Sequence, residues 1–244
     1  MERRPLLRFL GSNALVAAIA PAVNWDYPSA AAPENWGEIS PDFQRCATGS
    51  RQSPIDLDFP TATESNLLTI DYRSTPLTLT NTGRTIRVRP GVENSIAFRG
   101  ETFRLQQFHF HHPSEHRIAG RRFEMEIHFL HVSDRGNIAV IAVLARSGTS
   151  NPRLQPIFNN IPRESGANRK IADLIDIERI LPEKRDFYEY RGSLTTPPCS
   201  EGVLWFVLEN PIEVSPSEIR QFTDIIPFNA RSIRPAGDRP ILHS

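Results

Sequence analysis

Two stretches decide the reading of this chain: FRLQQFHFHH at residues 103–112 and FEMEIHFLH at residues 123–131. Both alternate polar and large apolar side chains and are rich in aromatic residues, the pattern of half-buried strands. Residues two apart in a strand share a face. Gln107, His109 and His111 therefore point one way, and Phe108, Phe110 and His112 the other. In the second stretch Glu126, His128 and Leu130 share a face, with Met125, Ile127, Phe129 and His131 opposite. Pro113, Gly120 and the pair Arg121-Arg122 lie between the two runs and suit a connection between antiparallel neighbours. If the strands pair, His128 lies across from His109 and His111, and three imidazoles converge.

Six of the seven histidines fall between 109 and 131. Three histidine ligands leave a fourth position open on zinc, the arrangement of catalytic rather than structural sites. The second nitrogen of each ring needs a partner. Gln107 and Glu126, each two residues from a ligand and on its face, are expected to hold a ring on a neighbouring strand. His-x-His also occurs in ordinary sheets; the third histidine and the two polar partners favour a metal site here. His131 reads as a core histidine of the opposite face. His116 reads as a structural hydrogen-bonding residue, and His112 as a position beside the site.

Working outward, Ile138 to Ala145 is a continuous apolar run, expected to be a central strand covered on both faces. Leu67–Ile70, Thr85–Val88, Ser95–Phe98 and Val203–Leu208 are further strand-like runs. Residues 150–185 mix Pro and Asn with short helical patterns such as Ile171–Ile175. Ser215–Phe222 reads as a short helix with Ser215 or Ser217 as its N-cap. Residues 23–60 read as an irregular arm anchored by Trp25 and Trp36. Nothing marks a repeat or a linker, so the expectation is one mainly β domain.

The composition is that of a globular protein, 39% hydrophobic and 23% charged over 244 residues. Twenty-eight basic residues balance 28 acidic ones. No global field points to nucleic acid or to an anionic membrane. Arg3, Arg4 and Arg8, the apolar run 15–20 and the small residues Ala20-Pro21-Ala22 fit a cleaved export signal over residues 1–22, too short to span a bilayer. The Arg3-Arg4 pair hints at a twin-arginine route. Export predicts a periplasmic or secreted protein (lumenal in a photosynthetic source) without stable membrane insertion. An even pair of cysteines, Cys46 and Cys199, in an exported chain suggests one disulfide. Closing so long a loop stabilises the fold by at most about 5 kcal/mol.

At this point the sequence resembles the alpha-class carbonic anhydrases, in particular exported bacterial members. Gln107-Phe108-His109-Phe110-His111 resembles the family's first ligand strand, and Glu126-Ile127-His128 its third-ligand strand. Pro113-Ser114-Glu115-His116, the loop Gly192-Ser193-Leu194-Thr195-Thr196-Pro197-Pro198-Cys199 and the segment Arg51-Gln52-Ser53-Pro54-Ile55-Asp56 match in family order. The matches run from about Trp25 to Pro235. The resemblance implies a mainly β (α+β) catalytic domain over residues 23–244. Its centre is a large twisted, mostly antiparallel sheet with short surface helices. The implied activity is reversible hydration of carbon dioxide to bicarbonate and a proton, by attack of zinc-bound hydroxide.

By the same resemblance His109, His111 and His128 bind zinc, with Gln107 and Glu126 as their partners. Thr195 orients the nucleophile and Glu115 accepts the Thr195 proton. Leu130, Val140, Leu194, Val203 and Trp205, with Thr196, line the substrate pocket. Tyr27 stands at the rim of the water network, and Cys46 pairs with Cys199. One position departs from the family: fast members carry a proton-shuttling histidine where this chain has Arg84. Arginine stays protonated and cannot shuttle at neutral pH. With Arg87 also expected to face the site, the cavity mouth should be unusually positive. The alternative is a non-catalytic carbonic-anhydrase-related binding module, which the intact ligand set disfavours. A zinc protease is disfavoured by the absence of an H-E-x-x-H helix.

Overall fold

A computed structural model describes residues 25–27, 32–58, 60, 62–63 and 67–244. The export segment expected at residues 1–22 lies outside the described residues.

The longer strands are β1 (Thr69–Asp71), β2 (Thr75–Asn81), β3 (Ile86–Pro90), β4 (Ser95–Phe98), β5 (Glu101–His111), β6 (Met125–Ser133), β7 (Ile138–Ser147), β8 (Asn168–Ile175), β9 (Phe187–Ser193) and β10 (Glu201–Val214). They form most of one 12-stranded sheet in the order β8-β2-β3-β5-β6-β7-β10-β9. Two short strands, Leu242–His243 and Ala62–Thr63, extend it beyond β9, and β4 and β1 branch from β5. Neighbours along the main path are antiparallel except β7 with β10 and the two short end strands, which pair parallel. The mainly β expectation and the mostly antiparallel sheet hold.

The sheet separates two apolar cores, and β7 shows how. Ala139, Ile141 and Val143 point into the larger core, which contains Phe108, Phe110, Ile127, Phe129 and Phe206. Val140, Ala142 and Leu144 point into the smaller one, with Val203, Trp205 and Val207. A strand buried on both faces must be apolar at every position, the reason Ile138–Ala145 reads as an unbroken run.

The helical reading of Ile171–Ile175 is wrong. This stretch belongs to β8, which pairs with β2 at the sheet edge. Only Ile171 of that stretch is fully buried, with Ile175 half-buried against the same core, so the strand shows no clean alternation. The helix near 215 is real. It spans Pro216–Thr223 and starts at Ser215, whose hydroxyl caps the Glu218 N–H while the Glu218 carboxylate returns to the Ser215 N–H.

The N-terminal arm carries short helical turns at Trp36–Ile39 and Arg45–Thr48. Trp25, Tyr27 and Trp36 meet edge to face, with centroids 5.1–5.9 Å apart. They pack with Phe43 against the Cys46–Cys199 disulfide, whose Cα atoms are 5.0 Å apart. The arm is thereby fixed to the segment that follows β9.

His131 lies in the larger core as expected, neutral between two partners: Tyr72 Oη is 2.6 Å from Nε2, and Nδ1 donates to the Ala139 carbonyl. Burial drives its pKa down from 6.5 to about 3. The unfolded chain takes up this proton near 6.5, whereas the folded chain resists it until about 3. The stability that neutral His131 contributes is therefore complete above that window and lost as pH falls through it. We expect denaturant unfolding to show a smaller loss for a Tyr72→Phe/His131→Leu variant than for wild type between about pH 7 and 4.5. The difference should be on the order of 2 kcal/mol. Parallel losses would contradict this assignment.

Candidate metal centre

Register brings the three histidines together as the alternation suggested. Across β5 and β6, His109 is directly opposite His128, Glu126 opposite His111, and Leu130 opposite Gln107. Opposed side chains share a face. His109, His111 and His128 therefore project from the smaller-core side, and one donor nitrogen from each lies within 4.8 Å of the others.

The hydrogen bonds dictate which nitrogen is free. His111 Nδ1 donates to the Asn229 carbonyl at 2.7 Å, which leaves the lone pair on Nε2. Gln107 Oε1 accepts from His109 Nδ1 at 2.9 Å, again freeing Nε2. Glu126 Oε1 accepts from His128 Nε2 at 2.6 Å, so there the lone pair sits on Nδ1. Gln107 and Glu126 thus hold rings of their own strands, not of a neighbouring strand: a side chain two residues away on the same face reaches the ring more directly. The third partner, a backbone carbonyl from a distant loop, carries no side-chain signal in the sequence. Burial pushes the pKa of all three rings down, His111 to about 4, so they are neutral donors.

Two buried polar atoms lack any partner at this point. His111 Nε2 and Glu115 Oε2 make no hydrogen bond and lie 3.6 Å apart. Glu115 Oε2 is also 3.9 Å from His128 Nδ1, while its Oε1 accepts the Arg231 N–H at 2.8 Å. Burial first, opposed by neighbouring His128, raises the Glu115 pKa to about 7, and the Thr195 side chain works to lower it. A buried lone pair and a buried carboxylate oxygen facing one another without a proton donor form a place for a cation. With three neutral imidazoles converging there, the residues fit a metal ion.

The support beneath this site is extensive. Glu126 accepts four hydrogen bonds: His128 Nε2 and His116 Nδ1 on Oε1, and the Glu115 and His116 backbone N–H groups on Oε2. His116 Nε2 accepts from Tyr190 Oη, whose oxygen accepts from Ser53. Ser53 Oγ in turn accepts the Ser193 N–H. Gly192 permits this approach, since a Cβ there would come within 2.1 Å of Ser53 Oγ. His116, Glu126 and His128 also lie close enough for a metal. Their facing atoms are satisfied by one another, which makes them a relay of hydrogen bonds.

Val140, Val203 and Trp205 are buried in the smaller core, with Leu130 and Leu194 packed against it. These apolar side chains lie on the imidazole side of the sheet, and Thr195 is buried and Thr196 half-buried in the segment that follows β9. Tyr27 is buried in the arm, and burial followed by the Glu115 charge raises its pKa well above the usual value. Arg84 precedes β3 in a turn. Its Nε donates to the Trp25 carbonyl at 2.6 Å and its guanidinium lies 4.3 Å from the Trp25 ring centroid. Arg87 is the partner of His109 in the β3–β5 pairing, so it faces the site as expected.

One contributor escaped the sequence reading. Arg231 is buried, donates to the Gln52 side chain and to the carbonyls of Ser53 and Cys46, and offers its backbone N–H to Glu115. It connects the disulfide arm to the carboxylate beside the histidines.

Comparison with known proteins agrees with this arrangement. The eukaryotic-type carbonic anhydrase family matches residues 31–243. A carbonic anhydrase of Nostoc sp. is 40% identical, with 100% of this chain and 98% of the relative aligned. One from Pectobacterium atrosepticum is 37% identical over 93% of each chain. The solved alpha-carbonic anhydrase of Thermovibrio ammonificans, in complex with the inhibitor sulfanilamide, superposes with a TM-score of 0.87 at 38% identity, covering 90% of this chain and 99% of the other. Among the described residues no helix is long and apolar enough to cross a membrane. The chain belongs to the eukaryotic-type, or alpha-class, carbonic anhydrases, enzymes that catalyse the reversible hydration of carbon dioxide to bicarbonate.

Proposed function

We propose that the metal is zinc, held by His109 Nε2, His111 Nε2 and His128 Nδ1, and that Thr195 and Glu115 direct the attacking oxygen. The observation that carries this reading is the unpartnered pair His111 Nε2 and Glu115 Oε2 beside two further imidazole lone pairs. Zinc held by these residues would make hydroxide available at neutral pH, a property for which this family is the standard example. Glu115, whose ionised form burial disfavours, would be favoured as a carboxylate beside a bound cation. Ionised Glu115 accepts the Thr195 hydroxyl proton. The Thr195 oxygen is then available only as an acceptor, and it orients the nucleophile. Leu130, Val140, Leu194, Val203 and Trp205, with Thr196, hold the uncharged substrate without offering it a competing ligand.

Supporting zinc over other metals is the donor set, neutral imidazoles each braced by a second hydrogen bond. X-ray absorption on the zinc-loaded protein should find three imidazole nitrogens at about 2.0 Å and one oxygen donor. A sulfur donor, or fewer than three imidazoles, would contradict it. Sulfanilamide, the inhibitor in complex with the Thermovibrio relative, should compete for the same open position.

The export assignment of residues 1–22, with residues 23–244 as the catalytic domain, belongs to the same proposal. The disulfide supports an oxidising destination.

Proton release should be the slow step. Arg84 stands where fast relatives have a shuttling histidine, and it is engaged by Trp25. Hydration at low buffer should therefore rise steeply when imidazole is added, while an Arg84→His variant should need less imidazole for the same rate. Buffer-independent turnover in the wild type would sink this assignment.

A further inference from the structure

Arg87 sits in a cross-sheet row with His109 and His128. Opposed residues share a face, so its guanidinium projects on the imidazole side. It is half-buried, and among the described residues it makes no hydrogen bond, ion pair or ring contact. Arg84 is occupied by Trp25, and Arg146 by Glu213. Among the described residues no carboxylate offsets Arg87, and burial and then Arg89 both oppose its charge. That charge extends to the site, since Arg87 lies directly opposite His109 in the β3–β5 pairing.

A partly desolvated guanidinium without a counter-charge is costly, and an anion that fits its planar fork offsets that cost. The reaction makes and consumes one such anion. Bicarbonate is a planar oxoanion able to accept two N–H bonds side by side, while carbon dioxide carries no charge for the guanidinium to attract. We infer that Arg87, extended outward along the same face by Arg89, forms an anion subsite that binds bicarbonate as it enters or leaves the imidazole site. The inference rests on that site being the reaction centre. The overall equilibrium fixes the ratio of kcat/KM in the two directions, so the subsite is best read from equilibrium binding and not from that ratio.

The bicarbonate dissociation constant can be measured on the zinc-loaded protein by competition with a fluorescent arylsulfonamide, at fixed pH and ionic strength. Each variant's own sulfonamide affinity is measured separately. Arg87→Gln should weaken bicarbonate about tenfold and Arg87→Lys by no more than about threefold, the charge being kept and the fork lost. A value for Arg87→Gln within about twofold of wild type would overturn the inference. A second readout avoids dependence on the variants. In the wild-type protein as isolated, the Arg87 side-chain Nε–H signal should shift saturably on titration with sodium bicarbonate, and no shift would equally overturn the subsite. Because that signal needs no bound zinc, a failure of the metal assignment would register separately, as absent zinc with the shift intact.

Discussion

Replacing Thr195 with alanine is expected to lower kcat/KM for carbon dioxide hydration by about 10²–10³-fold, with zinc content unchanged. Alanine keeps the backbone and deletes only the hydroxyl. The segment around it is held by other means. Leu194 donates to the Ser200 carbonyl, Cys199 to the Thr196 carbonyl, and Cys199 is bonded to Cys46. Ser193 is tied to Ser53 through both backbone and side chain. The loss therefore falls on orientation of the nucleophile and not on the loop. Thr195→Ser, which restores a hydroxyl, should recover most of the rate. Stopped-flow hydration with metal analysis on the same samples checks this, and a loss smaller than about fivefold in the alanine variant would remove Thr195 from the proposed mechanism.

The second large effect is expected at Glu126. A glutamine there has the same shape but replaces one acceptor oxygen by a donor. All four groups now facing the carboxylate are donors: two imidazole N–H groups and two backbone N–H groups. Whichever way the amide turns, two donors lose their acceptor in a fully buried site. Each costs about 1–3 kcal/mol. His128 also loses the charge-assisted bond that fixes its tautomer, so zinc affinity should fall about 10–100-fold. Denaturant unfolding of the metal-free protein and zinc competition with a chelator read the two effects separately. Wild-type zinc affinity in Glu126→Gln would show that His128 does not depend on this partner.

The sequence was most informative where geometry and chemistry coincide. Strands β5, β6 and β7 are legible because each must satisfy a face: alternation where one side is wet or functional, an unbroken apolar run where both are covered. The histidine triad follows from that alternation, since period two and one antiparallel register suffice to bring His109, His111 and His128 together. Less legible was whatever depends on distant chain segments. β8 has one fully buried residue to identify it, and its Ile171–Ile175 stretch reads as helix from the sequence. β2, with its regular Leu77–Leu79 spacing, and β9, with Tyr188 and Tyr190 against Trp205, are recognisable only beside their partners. The Asn229 carbonyl that orients His111 and the buried Arg231 that braces Glu115 come from a loop over 110 residues away. No local pattern announces them.

The central claim is that His109, His111 and His128 hold the zinc that makes this chain hydrate carbon dioxide. It is tested most directly by stopped-flow hydration on three samples: the zinc-loaded wild type, the same protein after chelation and zinc readdition, and a folded His111→Ala variant. The expected result is activity that disappears with the metal, returns with zinc, and is absent from the variant along with stoichiometric zinc. Hydration that survives chelation, or a His111→Ala protein that retains zinc and wild-type rates, would contradict it.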